Sequence, residues 1–393
     1  MSEPTAPDPA TVCARPPVSP PSTIPPLAPP LQLSSVYQFA DVATVDAVYE
    51  GEMRGFVYAR DAHPNAYQLA SKVAELEGGE AALVCASGMA AESALMLGLL
   101  QHGDRVALAE GIYGRTTLLV ARELARFGVE YDLFDQSRPE TLRAILTSRT
   151  RLAFVETLSN PLLRVADIAG LAEVARPAGV ALAVDHTFAP LLCRPLELGA
   201  DYVIHSATKS IGGHSDVTLG LLVGSKRDIA RITPIASTFG LTGNPFDSWM
   251  ALRGIATLAV RTERSTANAL DLAHRLEAHP SVVQVNYPGL AAHPDHALAC
   301  QILKSGFGAM VSFDVGGRVQ AERFIKSLAH IPYAPSLGDV ATTLSHPTTT
   351  SHRFQTPEEW SRQGITEGLI RLSVGIEAVE DLWIDLNQAL AQL

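Results

Sequence analysis

From about Tyr67 onward, short apolar runs alternate with longer amphipathic stretches. "AYQLASKVAELEGG" reads as a helix, "AALVCA" as a strand, "GMAAESALMLGLL" as a helix and "RVALA" as a strand, and the rhythm continues to the C-terminus. The runs "RLAFVE", "VALAVD", "DYVIHS" and "VTLGLLVG" are rich in Val, Ile, Leu and Ala and lack polar alternation. Strands of that kind are covered on both faces, so the pattern predicts an α/β fold with a mostly parallel central sheet over residues 67–245. After Pro245 a long helical region precedes "VVQVNYPG", "GAMVSFDV" and "LIRLSVG", which predict a smaller C-terminal α/β domain over 246–393. Eleven of the 26 prolines fall within the first 30 residues, where fixed φ and missing N–H donors oppose regular structure. Residues 1–30 are expected to be a flexible tail.

Composition narrows the classes of function. The chain has 393 residues, 47% of them hydrophobic, with 30 basic against 41 acidic residues and a net charge of -11. That balance and the lack of a Lys/Arg run argue against nucleic acid as a partner. No apolar stretch approaches the roughly 20 residues a membrane helix requires, and no export signal is visible. Four widely spaced cysteines form no CxxC pair, which points to a reducing cytoplasm. The spacing of His186, His205, His214 and Asp216 matches no helix-based metal motif, so no metal is expected.

Three of the apolar runs end in polar clusters: Glu156 with Ser159 and Asn160, Asp185 with His186 and Thr187, and Ser206 with Thr208 and Lys209. Ligands of parallel sheets gather at the carboxyl ends of strands, so the clusters are expected to share one crevice. A lysine there, with a carboxylate and hydroxyls beside it, is the set that pyridoxal 5'-phosphate (PLP) requires. Lys209 would carry the cofactor, Asp185 would face its ring nitrogen, and Ser206 and Thr208 would hold its phosphate. Ser87, Gly88 and Met89 precede a helix whose free N–H groups favour an anion, although SGM alone reads more readily as a helix cap.

The ordered set "YARDAHPN", "LEGGEAALVCASGMAA", "YGRT", "ETLSNPLLRVADI", "VDHTFAP", "SATKSIGGHSD", "SLGDVATTLSHP" and "LIRLSVGIEAVEDL" resembles the Cys/Met-metabolism PLP-dependent enzymes. That family includes cystathionine γ-synthase, cystathionine γ-lyase, methionine γ-lyase and the O-acylhomoserine sulfhydrylases. The resemblance runs from about residue 30 to the C-terminus and implies the aspartate aminotransferase-like type I fold. It implies that Lys209 anchors PLP and moves protons, and that Tyr113 lies over the ring and assists at the leaving group. It further implies that Asn160 contacts cofactor and substrate, and that Ser336 and Arg371 hold the substrate carboxylate. Tyr58 and Arg60 match a pair that reaches the phosphate in a neighbouring subunit, so residues 31–66 are expected to be an arm of a homo-oligomer, a tetramer by resemblance.

The family's reactions are γ-elimination and γ-replacement on sulfur amino acids or homoserine esters. Members acting on cystathionine commonly carry an arginine and a glutamate where this chain has Leu118 and Ala341. Their loss favours a methionine γ-lyase or O-acylhomoserine sulfhydrylase over a cystathionine γ-synthase or γ-lyase. A PLP-binding protein without turnover is a further alternative, opposed by the presence of every matched catalytic position. Arg115 is expected to meet an anionic leaving group such as a succinyl ester. His186, where the family usually has asparagine, is expected to alter pH dependence near neutrality.

Overall fold

The apolar runs become the strands of a seven-stranded sheet in the computed structural model, which describes residues 7–17, 24 and 26–393. These are β1 (Ala81–Cys85), β2 (Arg105–Ala109), β3 (Glu130–Phe134), β4 (Thr150–Glu156), β5 (Ala181–Asp185), β6 (Tyr202–Ser206) and β7 (Gly220–Gly224). Their order is β1-β7-β6-β5-β4-β2-β3. Strands β2 to β6 are parallel, and β7 lies antiparallel between β1 and β6. Alternating side chains feed two cores, which is why the runs lack polar positions. Leu83, Ile204 and Leu222 join Leu95 of helix Gly88–Leu99, whereas Val84, Val203, Leu221 and Val223 join Leu69 and Val73 of helix Pro64–Glu77.

A second sheet contains β8 (Gln284–Asn286), β9 (Met310–Asp314), β10 (Thr343–Ser345) and β11 (Leu369–Ser373) in the antiparallel order β10-β11-β9-β8. Helices Leu258–Glu277, Arg318–Ser327 and Val379–Leu390 cover it around Tyr287, Phe313, Phe324 and Leu386. Polar ties join the two sheets. Arg164, after β4, makes a forked ion pair with Asp295 at 2.5 and 3.0 Å, and the Ser312 hydroxyl donates to the Pro161 carbonyl.

The leader differs from the expected tail, because Pro9–Ala14 is a helix. Asp8 caps it, and proline suits a first turn, where its absent N–H is not missed. Val12 and Cys13 are buried, and the Lys72 ammonium donates to the Val12 and Arg15 carbonyls at 2.8 and 2.9 Å. Residues 1–6, 18–23 and 25 of the expected tail lie outside the described residues. Among the described residues no helix is long and apolar enough to cross a membrane, and no cluster of three or more His, Cys, Asp or Glu is placed to hold a metal.

Candidate active site

Strand register brings the polar clusters to one sheet edge. Glu156 of β4 pairs with Asp185 of β5, and both Ser206 of β6 and Cys85 of β1 pair with Gly220 of β7. The edge opens into a cleft of about 770 Å³ that also meets residues of the second sheet. Ser87, Gly88, Met89, Tyr113, Arg115, Asn160, Asp185, Ser206, Thr208, Lys209 and Arg371 all line it, as does Leu118. Ser336 joins through a 3.3 Å hydrogen bond from the Lys209 amine. Tyr58 and Arg60 are not brought there by this chain: both are exposed, with the Arg60 guanidinium 5.1 Å from the Tyr58 ring centre. Ala341 also lies off the cleft wall, its N–H donating to Asp339.

The loop before helix Gly88–Leu99 brings that helix's N-terminus to the cleft. The Ser87 hydroxyl accepts from Ala90 N–H at 3.1 Å, so it caps the helix while the cleft faces the helix N-terminus. Close approach depends on missing side chains. A Cβ on Gly220 would lie 1.9 Å from the Ser87 carbonyl oxygen, and one on Gly88 would lie 3.0 Å from Ser206 Cβ. Ser87, Gly88 and Ser206 are thereby drawn together on the cleft wall. The Thr208 hydroxyl is held by the Leu219 backbone, accepting its N–H at 3.0 Å.

The electrostatics suit PLP chemistry. Burial, assisted by the Arg371 charge, lowers the Lys209 pKa and favours the neutral, nucleophilic amine. Asp185 is pushed up by burial, although Thr187 donates to it and His205 lies nearby; a protonated ring nitrogen is the counter-charge this carboxylate lacks. Glu156 accepts from Tyr113 N–H at 2.7 Å and Asn160 N–H at 3.1 Å, fixing both backbones, while burial and then Asp185 raise its pKa. The Tyr113 phenol is raised by burial against the opposing pull of Arg115, so it stays protonated near neutrality. Arg371 donates to Asn160 Oδ1 at 2.8 Å and to the Ser336 carbonyl at 3.3 Å, yet its Nε has no partner. Burial lowers it only to about 10, so a buried cation with an unused donor faces the cleft. A guanidinium with a free donor of this kind is suited to pairing with a carboxylate.

The family model for Cys/Met metabolism PLP-dependent enzymes matches residues 10–391. The chain belongs to this family. It is 42% identical to the O-succinylhomoserine sulfhydrylase of Pseudomonas aeruginosa over 92% of this chain and 90% of that one. It is 40% identical to the L-methionine gamma-lyase of Pseudomonas putida, over 93% and 92% of the two chains. A solved cystathionine gamma synthase of Xanthomonas oryzae pv. oryzae, in complex with aminoacrylate and cysteine, superposes with a TM-score of 0.92 at 36% identity, covering 99% of each chain.

As a PLP-dependent enzyme of this family, the protein uses the cofactor to withdraw electrons from the substrate Cα. The structure corrects one expectation about this site. His186 is fully buried, and burial lowers its pKa to about 4, so it is neutral near pH 7 and does not titrate there. Its Nε2 faces the Cys193 carbonyl at 3.1 Å, which requires the proton on Nε2 and leaves Nδ1 to accept from the Thr157 hydroxyl at 2.7 Å.

Other cleft residues were not singled out from the sequence: Glu92, His352, Arg353, Phe354 and Arg362. Glu92 is the one with a visible signal, a lone carboxylate inside the apolar run "MAAESALMLGLL". The others come from residues 352–362, whose polar composition is that of an ordinary surface connection.

Proposed function

We propose that the protein catalyses γ-replacement or γ-elimination on a homoserine ester or a sulfur amino acid with a short side chain, with an anionic homoserine ester as the preferred substrate. The observation that carries the choice is a group of guanidinium side chains on the cleft wall around Phe354. The guanidinium groups of Arg115 and Arg353 lie 5.2 and 5.9 Å from the Phe354 ring centre, and Arg362 lines the same cleft. The α-carboxylate binds at Arg371, supported by Asn160 and Ser336. Lys209 exchanges the Cα proton, and Tyr113 supplies a proton at the departing group. An acyl carboxylate then extends along Leu118 to Arg115 and Arg353.

A second reading, turnover of cystathionine, draws on Glu110 and Glu359, which line the cleft and suit a distal ammonium. A panel of succinyl- and acetylhomoserine, methionine and cystathionine, with and without sulfide, decides between them through 2-oxobutyrate and amino-acid products. The succinyl ester is expected to lead, and Arg115→Ala is expected to bring it level with the acetyl ester. Cystathionine as the best substrate, or an unchanged ester ratio in Arg115→Ala, overturns the preference.

The reading includes a cytoplasmic homo-oligomer, a tetramer in which each cleft receives Tyr58 and Arg60 from a neighbour. All four cysteines are unpaired, in keeping with a reducing compartment. The segment before Tyr58 exposes Leu33, Val36, Val42 and Tyr49, apolar surface of the kind a subunit contact covers.

A further inference from the structure

Helix Gly88–Leu99 packs through apolar side chains, yet its second turn carries a carboxyl group that the roles above leave unused. Glu92 is 2% exposed and lines the cofactor cleft, and its Oε2 has no hydrogen-bond partner. Thr116, from the turn after Tyr113, presents a buried hydroxyl toward it, near enough to favour the charged form although neither Oγ1 nor Glu92 Oε2 meets a partner at full hydrogen-bond geometry. The charge that acts on Glu92 has its own sign, that of Asp185 at the end of β5, and the charge of Glu92 acts in turn on Glu156 at the end of β4. The Tyr113 phenol faces the same group. His205 of β6 acts on Asp185 but is already bonded to Glu77 at 2.7 Å. Strands β1 and β7 and helix Lys226–Phe239 meet the helix through Leu83, Leu222, Ile229 and Ile232, with Cys85 the titratable group among them. Glu92 is therefore a buried acid in a ligand cleft, with a free oxygen, and among the described residues no cation forms an ion pair with it, Lys209, Arg115 and Arg371 lining the same cleft.

We propose that Glu92 occupies the cleft as a neutral carboxylic acid and is a positioning residue of the cofactor site, a hydrogen-bond donor kept beside Asp185 that must stay protonated for PLP to be held. Burial and the Asp185 charge, against the pull of the Thr116 hydroxyl, raise its pKa to about 8. PLP brings a doubly charged phosphate and displaces water from the cleft. Both increase the cost of an ionised Glu92, while the ring-nitrogen charge is neutralised by Asp185 and leaves none for Glu92, so cofactor binding and Glu92 protonation favour each other. The inference requires only that the cleft holds PLP, whichever substrate is turned over.

The test is titration of apoprotein with PLP between pH 6.5 and 9.5 for the wild type and Glu92→Gln, which keeps a neutral donor of the same shape. The ratio of the wild-type dissociation constant to that of the variant is expected near one at pH 6.5 and to rise about tenfold by pH 9.5, the effect of one partly screened charge. A ratio that stays flat or falls with pH overturns the proposal. Thr116→Val provides a second arm that leaves Glu92 in place. Without the hydroxyl that favours the charged form, the wild-type loss of affinity is expected to move to higher pH, and no movement also counts against Glu92. Because both arms read cofactor binding without substrate, their failure leaves the substrate assignment standing, and a failed substrate panel leaves them standing.

Discussion

Arg371 shows how much one residue carries. It sits at 4% exposure on β11, and its fork is held by Asn160 and Ser336 while Nε is free. Lysine offers a point charge in place of the fork, so Arg371→Lys is expected to raise KM for the amino acid roughly 10- to 100-fold, the scale of a lost charge-assisted hydrogen bond. Steady-state kinetics check this, with the bound-cofactor absorbance expected to remain. Lys209→Ala is expected to abolish the borohydride-sensitive link to PLP, read by absorbance before and after reduction. The buried His186 contributes to acid lability. Its pKa is depressed to about 4 from the ordinary 6.5. The unfolded chain therefore binds the extra proton first, so this contribution is intact above pH 6.5 and is lost as pH falls toward 4. His186→Asn is expected to flatten the fall in thermal midpoint across that window. An equal slope in both proteins, measured by calorimetry of the apoproteins, contradicts the assignment.

At the scale of elements, the cleft at the sheet edge takes its shape because glycine lets β7 and the Ser87 turn touch. Gly220→Ala places a methyl 1.9 Å from a carbonyl oxygen, and backbone atoms cannot step aside as a flexible side chain does. The substitution is expected to cost roughly 2–4 kcal/mol of stability and to weaken PLP binding together with it, by denaturant melts and cofactor titration. The apolar runs revealed β1, β2 and β4 to β7 because burial on both faces leaves a composition that no loop has. β3 escaped because it is an edge strand, "EYDLF", in which Phe134 alone is buried. β10, Thr343 to Ser345, escaped because it sits in the polar stretch "TTLSHP" with no apolar run around it, unlike the equally short β8 inside "VVQV". Helix Pro9–Ala14 was hidden by its neighbours: proline density argues against regular structure, but one proline at a first turn with an Asp8 cap does not prevent it.

For the whole molecule, the clefts are expected to be shared. Arg60→Ala and Lys209→Ala are each expected to be inactive alone. Coexpressed, they are expected to recover about a quarter of wild-type activity, because half of randomly mixed pairs then hold one intact site. No recovery in demonstrably mixed oligomers contradicts the exchange of Tyr58 and Arg60. The sequence by itself determined the α/β class, the candidate anchor Lys209 and the polar clusters at strand ends, because hydrophobic periodicity and short motifs are local properties of the chain. It also carried the family's marks at Tyr113, Asn160, Asp185 and Arg371. Tertiary structure decided what depends on distance and dielectric. It set His186 in a dry pocket where it is neutral, left Tyr58 and Arg60 outside their own chain's cleft, and placed Glu92 beside Asp185 without a counter-ion. Charge states such as these follow from desolvation and from neighbours brought together by the fold, quantities that no local pattern records.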